Sequence, residues 1–348
     1  MSENLPTLNS ALRKAIAQAS GKQEHIDDTL VENFEFIGRA MLGDTQPLDI
    51  KFQPETALEH AREFRPIRGR ALVKLNFHAR AGIEDLVLQD CEFVNMDFSS
   101  MSLKRTRFER CLLVAVKFHN TDCTDARFDD STLVAHDFEE SLLENTSFDR
   151  ARLQGCLFSH CAHGRLGRVS FRGANLTGSN FERLELDTVS LDDVIARMCW
   201  MPGVYFRQCS LQMAKLGGSH IQGSKFDCCR LDFADFNWAI LNDSYFGMDE
   251  QSEATTARFA NFSEAALQRA KFSTVDLTGA DFSGADLRET RFEGCVLLGC
   301  NFERASVGPE TFSNNCNTDY VITSHLTQGK EYLTAGTIDV SSDQSNSA

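Results

Sequence analysis

From about Ala71 to Phe312 the chain repeats every five residues. Ala280-Asp281-Phe282-Ser283-Gly284 is followed by Ala285-Asp286-Leu287-Arg288-Glu289: a small residue, a polar one, Phe or Leu, then two more polar residues. A strict period of five fits neither the 3.6 of a helix nor the 2 of a flat strand. It fits a wall that turns a corner every five residues, with the large residue and the small one ahead of it facing inward. Such coils bury a continuous column only when stacked on one another.

Taking the large apolar residue as the centre, one frame of centres runs from Ile83 through Phe98, Phe108, Phe118, Phe128, Phe138 and Phe148 to Phe158. A second runs from Phe171 to Phe246, and a third from Phe262 through Phe272, Phe282, Phe292 and Phe302 to Phe312. Twenty of the 27 Phe residues fall on centres, so the high Phe content is a core requirement and not an aromatic binding box. Phe and Leu alternate in the first and third frames. The inward residue thus alternates in shape from one pentad to the next, which favours dense packing.

These units resemble the pentapeptide-repeat family over about 240 residues. The resemblance implies an all-β solenoid, a right-handed quadrilateral β-helix with 20 residues per coil, carrying here a small α-helical N-terminal segment. At ~4.8 Å per coil the repeat would form a rod on the order of 50–60 Å long.

The organisation expected is a helical cap or small domain over 1–70, the repeat over 71–315 and a C-terminal segment over 316–348, disordered from about 336. Leu5, Leu8, Leu12 and Ile16 recur at helical spacing, as do Leu30, Phe34, Ile37 and Met41; Leu48–Phe52 alternates like a strand, and Glu55–Phe64 reads as a short helix. Breaks are expected near 159–170, 192–205 and 247–258. The first and third follow from spacings of 13 and 16 between successive Phe centres. The second follows from the weak centres Ala196 and Met201 beside Trp200 and Pro202.

The net charge of −15 is uneven: residues 1–74 hold 10 basic and 11 acidic residues, and residues 75–348 hold 25 and 39. An acidic repeat disfavours direct nucleic-acid binding, which needs phosphates neutralised, and attracts a basic groove on a protein. No run of apolar residues is long enough to span a membrane, and the start of the sequence lacks the pattern of a secretory signal. The 12 cysteines read as reduced, small buried thiols of a cytoplasmic protein. The sequence shows no P-loop, nucleophile elbow, His-Glu-x-x-His or dinucleotide fingerprint, and no cofactor is expected. Cys156, His160, Cys161 and His163 are close in sequence but would diverge on a tight coil, so no metal site is expected.

The function expected is a non-enzymatic scaffold that presents an acidic surface to a protein partner. The residues singled out for contact are Met248, Asp249, Glu250 and Glu253 in the polar insertion, with Asp281, Asp286 and Glu289 on the regular repeat. The family resemblance adds two alternatives. One is a DNA mimic that binds the type II topoisomerase DNA gyrase and protects it from quinolones. The other is a translocated bacterial effector. A homodimer is the further assembly considered.

Overall fold

The computed structural model describes residues 67–68, 71–73, 84–94, 96–248, 253–312 and 315–323. The helices expected before Ile67, the core of the polar insertion and the C-terminal tail lie outside these residues. The chain falls into two compact units, one ending at His163 but taking in Asn175–Asn180, the other holding Gly164–Ala174 and everything from Phe181.

In both units the pentad is the wall of a four-sided coil, and each residue of the pentad has one job. The residue before each centre bridges in parallel to its counterpart one coil on, as in Ser102↔Asp122 and Lys215↔Asp235, which are 20 apart. The centre points inward. The next two residues form a turn closed by the amide three positions after the centre, as in Met101 N to Phe98 O at 3.0 Å and Ala280 N to Leu277 O at 2.8 Å. The second turn residue, the corner position, has φ between 50° and 72° in coil after coil. That left-handed backbone favours Gly, Asn and Asp.

On some walls the bridges lengthen into short parallel strands. In the first unit Ile67–Arg68, Val87–Gln89 and Arg107–Glu109 form one sheet. The pairing therefore reaches back to Ile67, ahead of the expected start at Ala71. The second unit carries a seven-stranded sheet from Arg165–Gly167 to Arg291–Glu293.

The core is a set of aromatic columns. In the second unit Phe206, Phe226, Phe246, Phe272 and Phe292 stack at 4.4–4.8 Å on one wall. Phe236, Phe262, Phe282 and Phe302 stack at 5.0–5.1 Å on the opposite wall. The two columns meet edge-to-face at 6.0 Å between Phe262 and Phe272. In the first unit Phe108, Phe128 and Phe148 stack in one column and Phe118, Phe138 and Phe158 in another, and the two columns meet edge-to-face. All ten Phe residues assigned to the core from sequence are fully buried, each worth about 3 kcal/mol of burial.

The small residue two before each centre has its own chemistry. When it is Ser, Thr or Cys, it donates to the carbonyl of the centre 23 residues earlier in a regular coil: Ser131 Oγ to Phe108 O at 2.7 Å, Thr121 Oγ1 to Phe98 O at 3.0 Å, Cys300 Sγ to Leu277 O at 3.0 Å. This accounts for cysteine at such positions without invoking reactivity.

Two expected breaks are insertions at corners. The amide of Asn175 reaches Ala151 O, a span of 24 where the regular coil has 21, so three residues are added around Ala162–Gly164. The amide of Thr256 reaches Cys229 O, a span of 27, so six are added after Gly247. The break expected at 192–205 is a correction: the coil is regular there. Tyr205 N bonds Leu184 O at the usual span of 21, and Ala196 and Met201 are buried as ordinary centres. Pro202 and Gly203 occupy the two turn positions, with Gly203 at φ 67°. Pro followed by Gly is favoured in a β-turn, so it completes the repeat here rather than interrupting it. Trp200 sits at the bridging position, its Nε1 donating to Glu182 Oε2 at 3.1 Å.

Candidate partner-binding surfaces

The acidic residues predicted for contact do not converge. Asp281 bridges on the wall centred on Phe282, where its Oδ1 accepts from Ser283 N at 2.9 Å and Asn301 Nδ2 at 3.0 Å. Asp286 lies on the next wall, and Arg288 holds it at 2.6 Å. That hydrogen bond, assisted by Gln268, keeps the Asp286 carboxyl below the usual carboxylate range. Glu289 is an exposed corner residue of the same wall. Met248 and Glu253 lie at the two ends of the six-residue insertion, Met248 half-buried and Glu253 exposed. Asp249 and Glu250 lie outside the described residues. Thr255 closes the insertion by donating to Gly247 O.

Much of the surface charge is organised as ladders along the corners. Arg105 pairs with Asp85 at 2.6 Å, Arg110 with Asp90 at 2.7 Å and Arg150 with Asp130 at 2.7 Å, each one coil of 20 residues apart. Arg269 pairs with Asp243 at 2.7 Å across 26 residues, the same corner after the insertion is counted. The partner arginine's hydrogen bond lowers the pKa of Asp85, Asp130 and Asp243. Writing the sequence out in rows of 20 would have exposed the ladder; a net charge does not.

The corners also carry residues that sequence reasoning missed. Met198, Met213, Phe233, Trp238 and Phe259 all have positive φ and all are exposed. Phe233 and Phe259 are the two Phe residues beyond Phe77 that fall off the centres. They stack on each other at 5.2 Å with ring planes 13° apart. The signal was available: a large apolar residue two after a centre breaks the pentad rule.

Apart from the Ser and Thr at the small positions, few polar side chains among the described residues are buried. Desolvation pushes the thiol of Cys156 up to about 12, and its Sγ is committed to Leu133 O at 2.8 Å. His136 is buried in the first unit with Nδ1 on Val134 O at 3.0 Å and Nε2 without a partner. Desolvation lowers its pKa to about 4, so it is neutral. Among the described residues no group of three or more His, Cys, Asp or Glu is placed to hold a metal ion, and no helix is long and apolar enough to cross a membrane. An open groove of about 700 Å³ is lined by Arg269, Lys271, Arg288 and Arg291. Each of these cations already pairs with a carboxylate, so the groove offers an anion little.

The fold can be set beside known proteins. A family model for a pentapeptide repeat region matches residues 219–302, and one for pentapeptide repeats (8 copies) matches 121–159 and 160–193. Among curated proteins no sequence matches the chain. Among solved structures, the chain is similar to HetL, a pentapeptide-repeat protein involved in heterocyst differentiation regulation from the cyanobacterium Nostoc sp. strain PCC 7120. The identity is 20% over 76% of this chain and 94% of that one, with a TM-score of 0.30. Full-length QnrB1, a plasmid-mediated fluoroquinolone resistance protein, is 18% identical over 60% of this chain and 93% of its own, with a TM-score of 0.23. Rfr23 from the cyanobacterium Cyanothece 51142 is 12% identical over 56% and 89%, with a TM-score of 0.11. Likenesses this distant say nothing of activity. The pentad register of the walls and the two family models together place this chain in the pentapeptide-repeat family.

Proposed function

We propose that this chain is a non-catalytic scaffold whose acidic walls bind a protein partner with a basic groove. The observation that carries this reading is the excess of 39 acidic over 25 basic residues from residue 75 onward, on a coil whose inward positions are taken by Phe, Leu and small residues. Charge that has no place inside is presented outward, where it steers a partner of opposite sign. The test is affinity capture with the wild-type chain and with a variant carrying Glu253→Lys, Asp281→Lys and Glu289→Lys. A partner retained by the first, lost by the second and released as salt rises supports the reading. A partner indifferent to both changes rejects it.

A second reading takes the partner to be DNA gyrase and the chain a DNA mimic. The acidic balance favours it. The arginine ladders weigh against it, because they neutralise carboxylates along the corners where a mimic would display them. Gyrase supercoiling assayed with and without a fluoroquinolone decides the matter: salt-sensitive inhibition or drug protection supports mimicry, and neither effect from folded protein at micromolar concentration rejects it.

A further inference from the structure

Two adjacent corners of the second unit carry a surface unlike the rest. Met198, Met213, Phe233, Trp238 and Phe259 are 60, 55, 54, 64 and 54% exposed. Met213, Phe233 and Phe259 follow one another along one corner, linked by Met213 N to Asp232 O and Phe233 N to Arg258 O. Met198, Gly218 and Trp238 follow one another along the next. Two glycines fit this patch. A Cβ at Gly279 would lie 2.6 Å from the Phe259 ring, which leans over it. Gly218 stands between Met198 and Trp238 on the other corner, where an added Cβ would meet Met198 Cγ at 3.9 Å.

The folded coil does not need these side chains. A left-handed corner disfavours bulky residues by about 1–2 kcal/mol each, and Asn, Asp or Gly fill other corners. With side chains of ~150–250 Å² more than half exposed, the five leave on the order of 500 Å² of apolar surface. Half-buried Ile195, Trp200 and Ile240 border it. That is at the upper end of the largest patch on an ordinary monomer and approaches the ~800 Å² per partner of a stable complex. The coils beneath are also electrically neutral: residues 191–240 hold five Asp, no Glu and five Lys or Arg, within a chain of net charge −15.

We propose that two copies of this chain pair through this patch about a twofold axis, with Phe233, Trp238 and Phe259 of each seated against the other. The occupant follows from area and charge. A basic partner is drawn to the walls that carry the acidic excess, not to the neutral stretch. A second copy is repelled by those walls and meets no net charge here. An isologous contact doubles the apolar area to about 1,000 Å², the least that a biological interface should bury.

The proposal is tested by sedimentation equilibrium of the full chain from about 0.2 to 100 μM, a range that brackets ordinary interface affinities. The comparison is with Phe233→Asn/Trp238→Asn/Phe259→Asn, whose Asn side chains suit a left-handed corner. The wild type is expected to dimerise, and no more weakly at high salt, because salt screens the acidic repulsion between copies. The variant is expected to raise the dissociation constant at least ~100-fold with its fold intact by circular dichroism. A wild type that stays monomeric throughout, or a variant that dimerises as tightly, overturns the proposal. Trp238→Asn alone gives the same reading should the triple variant lose its fold. A dimer dispersed by salt overturns it as well. The acidic-wall reading is scored on Glu253, Asp281 and Glu289, so either can fail without the other.

Discussion

The corners of residues 85–150 and those of residues 198–259 share one backbone conformation and little else. In the first stretch the left-handed positions hold Asp, Arg, Asn, Ser, Glu and Ala, and Asp–Arg pairs link one coil to the next. In the second they include two Met, two Phe and one Trp facing solvent. The stacking of coils therefore does not dictate what stands at a corner, provided the residue tolerates positive φ. What varies from coil to coil is free for recognition, and what repeats is fixed by the core.

The comparison can be broken most directly with Phe itself, which occupies both environments. Phe282→Ala leaves a cavity in a stacked column and should cost about 3–5 kcal/mol, read as a large fall in thermal midpoint. Phe282→Asp, which buries an unpaired charge, should unfold the neighbouring coils. An unchanged melting curve for either would show that the centre is not the inward position. The next effect separates the two units by acid. His136 titrates near 4 when folded and near 6.5 when unfolded, so the unfolded chain binds more protons between those values. Stability is then lost as pH falls from about 6.5 towards 4, by about 3 kcal/mol in all. Hydrogen exchange should show the first unit loosening before the second, and His136→Ser should remove that difference. Smaller still is the ladder. Arg150→Ala should cost at most about 1 kcal/mol, less in high salt, because the pair is exposed. The smallest effect is Phe259→Asn, expected to leave the stability of the monomer, read from its thermal unfolding, within about 0.5 kcal/mol of wild type or above it. A loss as large as that of Phe282→Ala would mean that corner and core do not differ.

The walls were legible in the sequence because the inward residue is chosen by one force, burial, and returns every five positions. Phe282 and Phe292 are identifiable by counting alone. The Asp243–Arg269 pair was not legible, because it meets through a coil lengthened by six residues and is 26 apart; the pairs 20 apart emerge only when whole coils, not single pentads, are aligned. Pro202 misled for a related reason: Pro reads as a breaker, yet its fixed φ suits the first turn residue. The apolar corners were hidden by composition. Once most Phe residues were explained by the core, Phe233 and Phe259 no longer stood out, although their positions contradict the rule that explained the rest. The predicted acidic contacts were chosen residue by residue, and the coil distributes them over different walls.

The corner turns are closed by their own local hydrogen bonds, while each wall reads only the coil before and after it. The three-residue and six-residue insertions show the outcome: the chain lengthens at a corner and the next wall resumes in step. A gene encoding such a chain can thus gain or lose a whole 20-residue lap, or grow a loop at an edge, without renegotiating its interior. Length and decoration are inherited as separate traits, and a single lap is the smallest unit in which the protein can be edited.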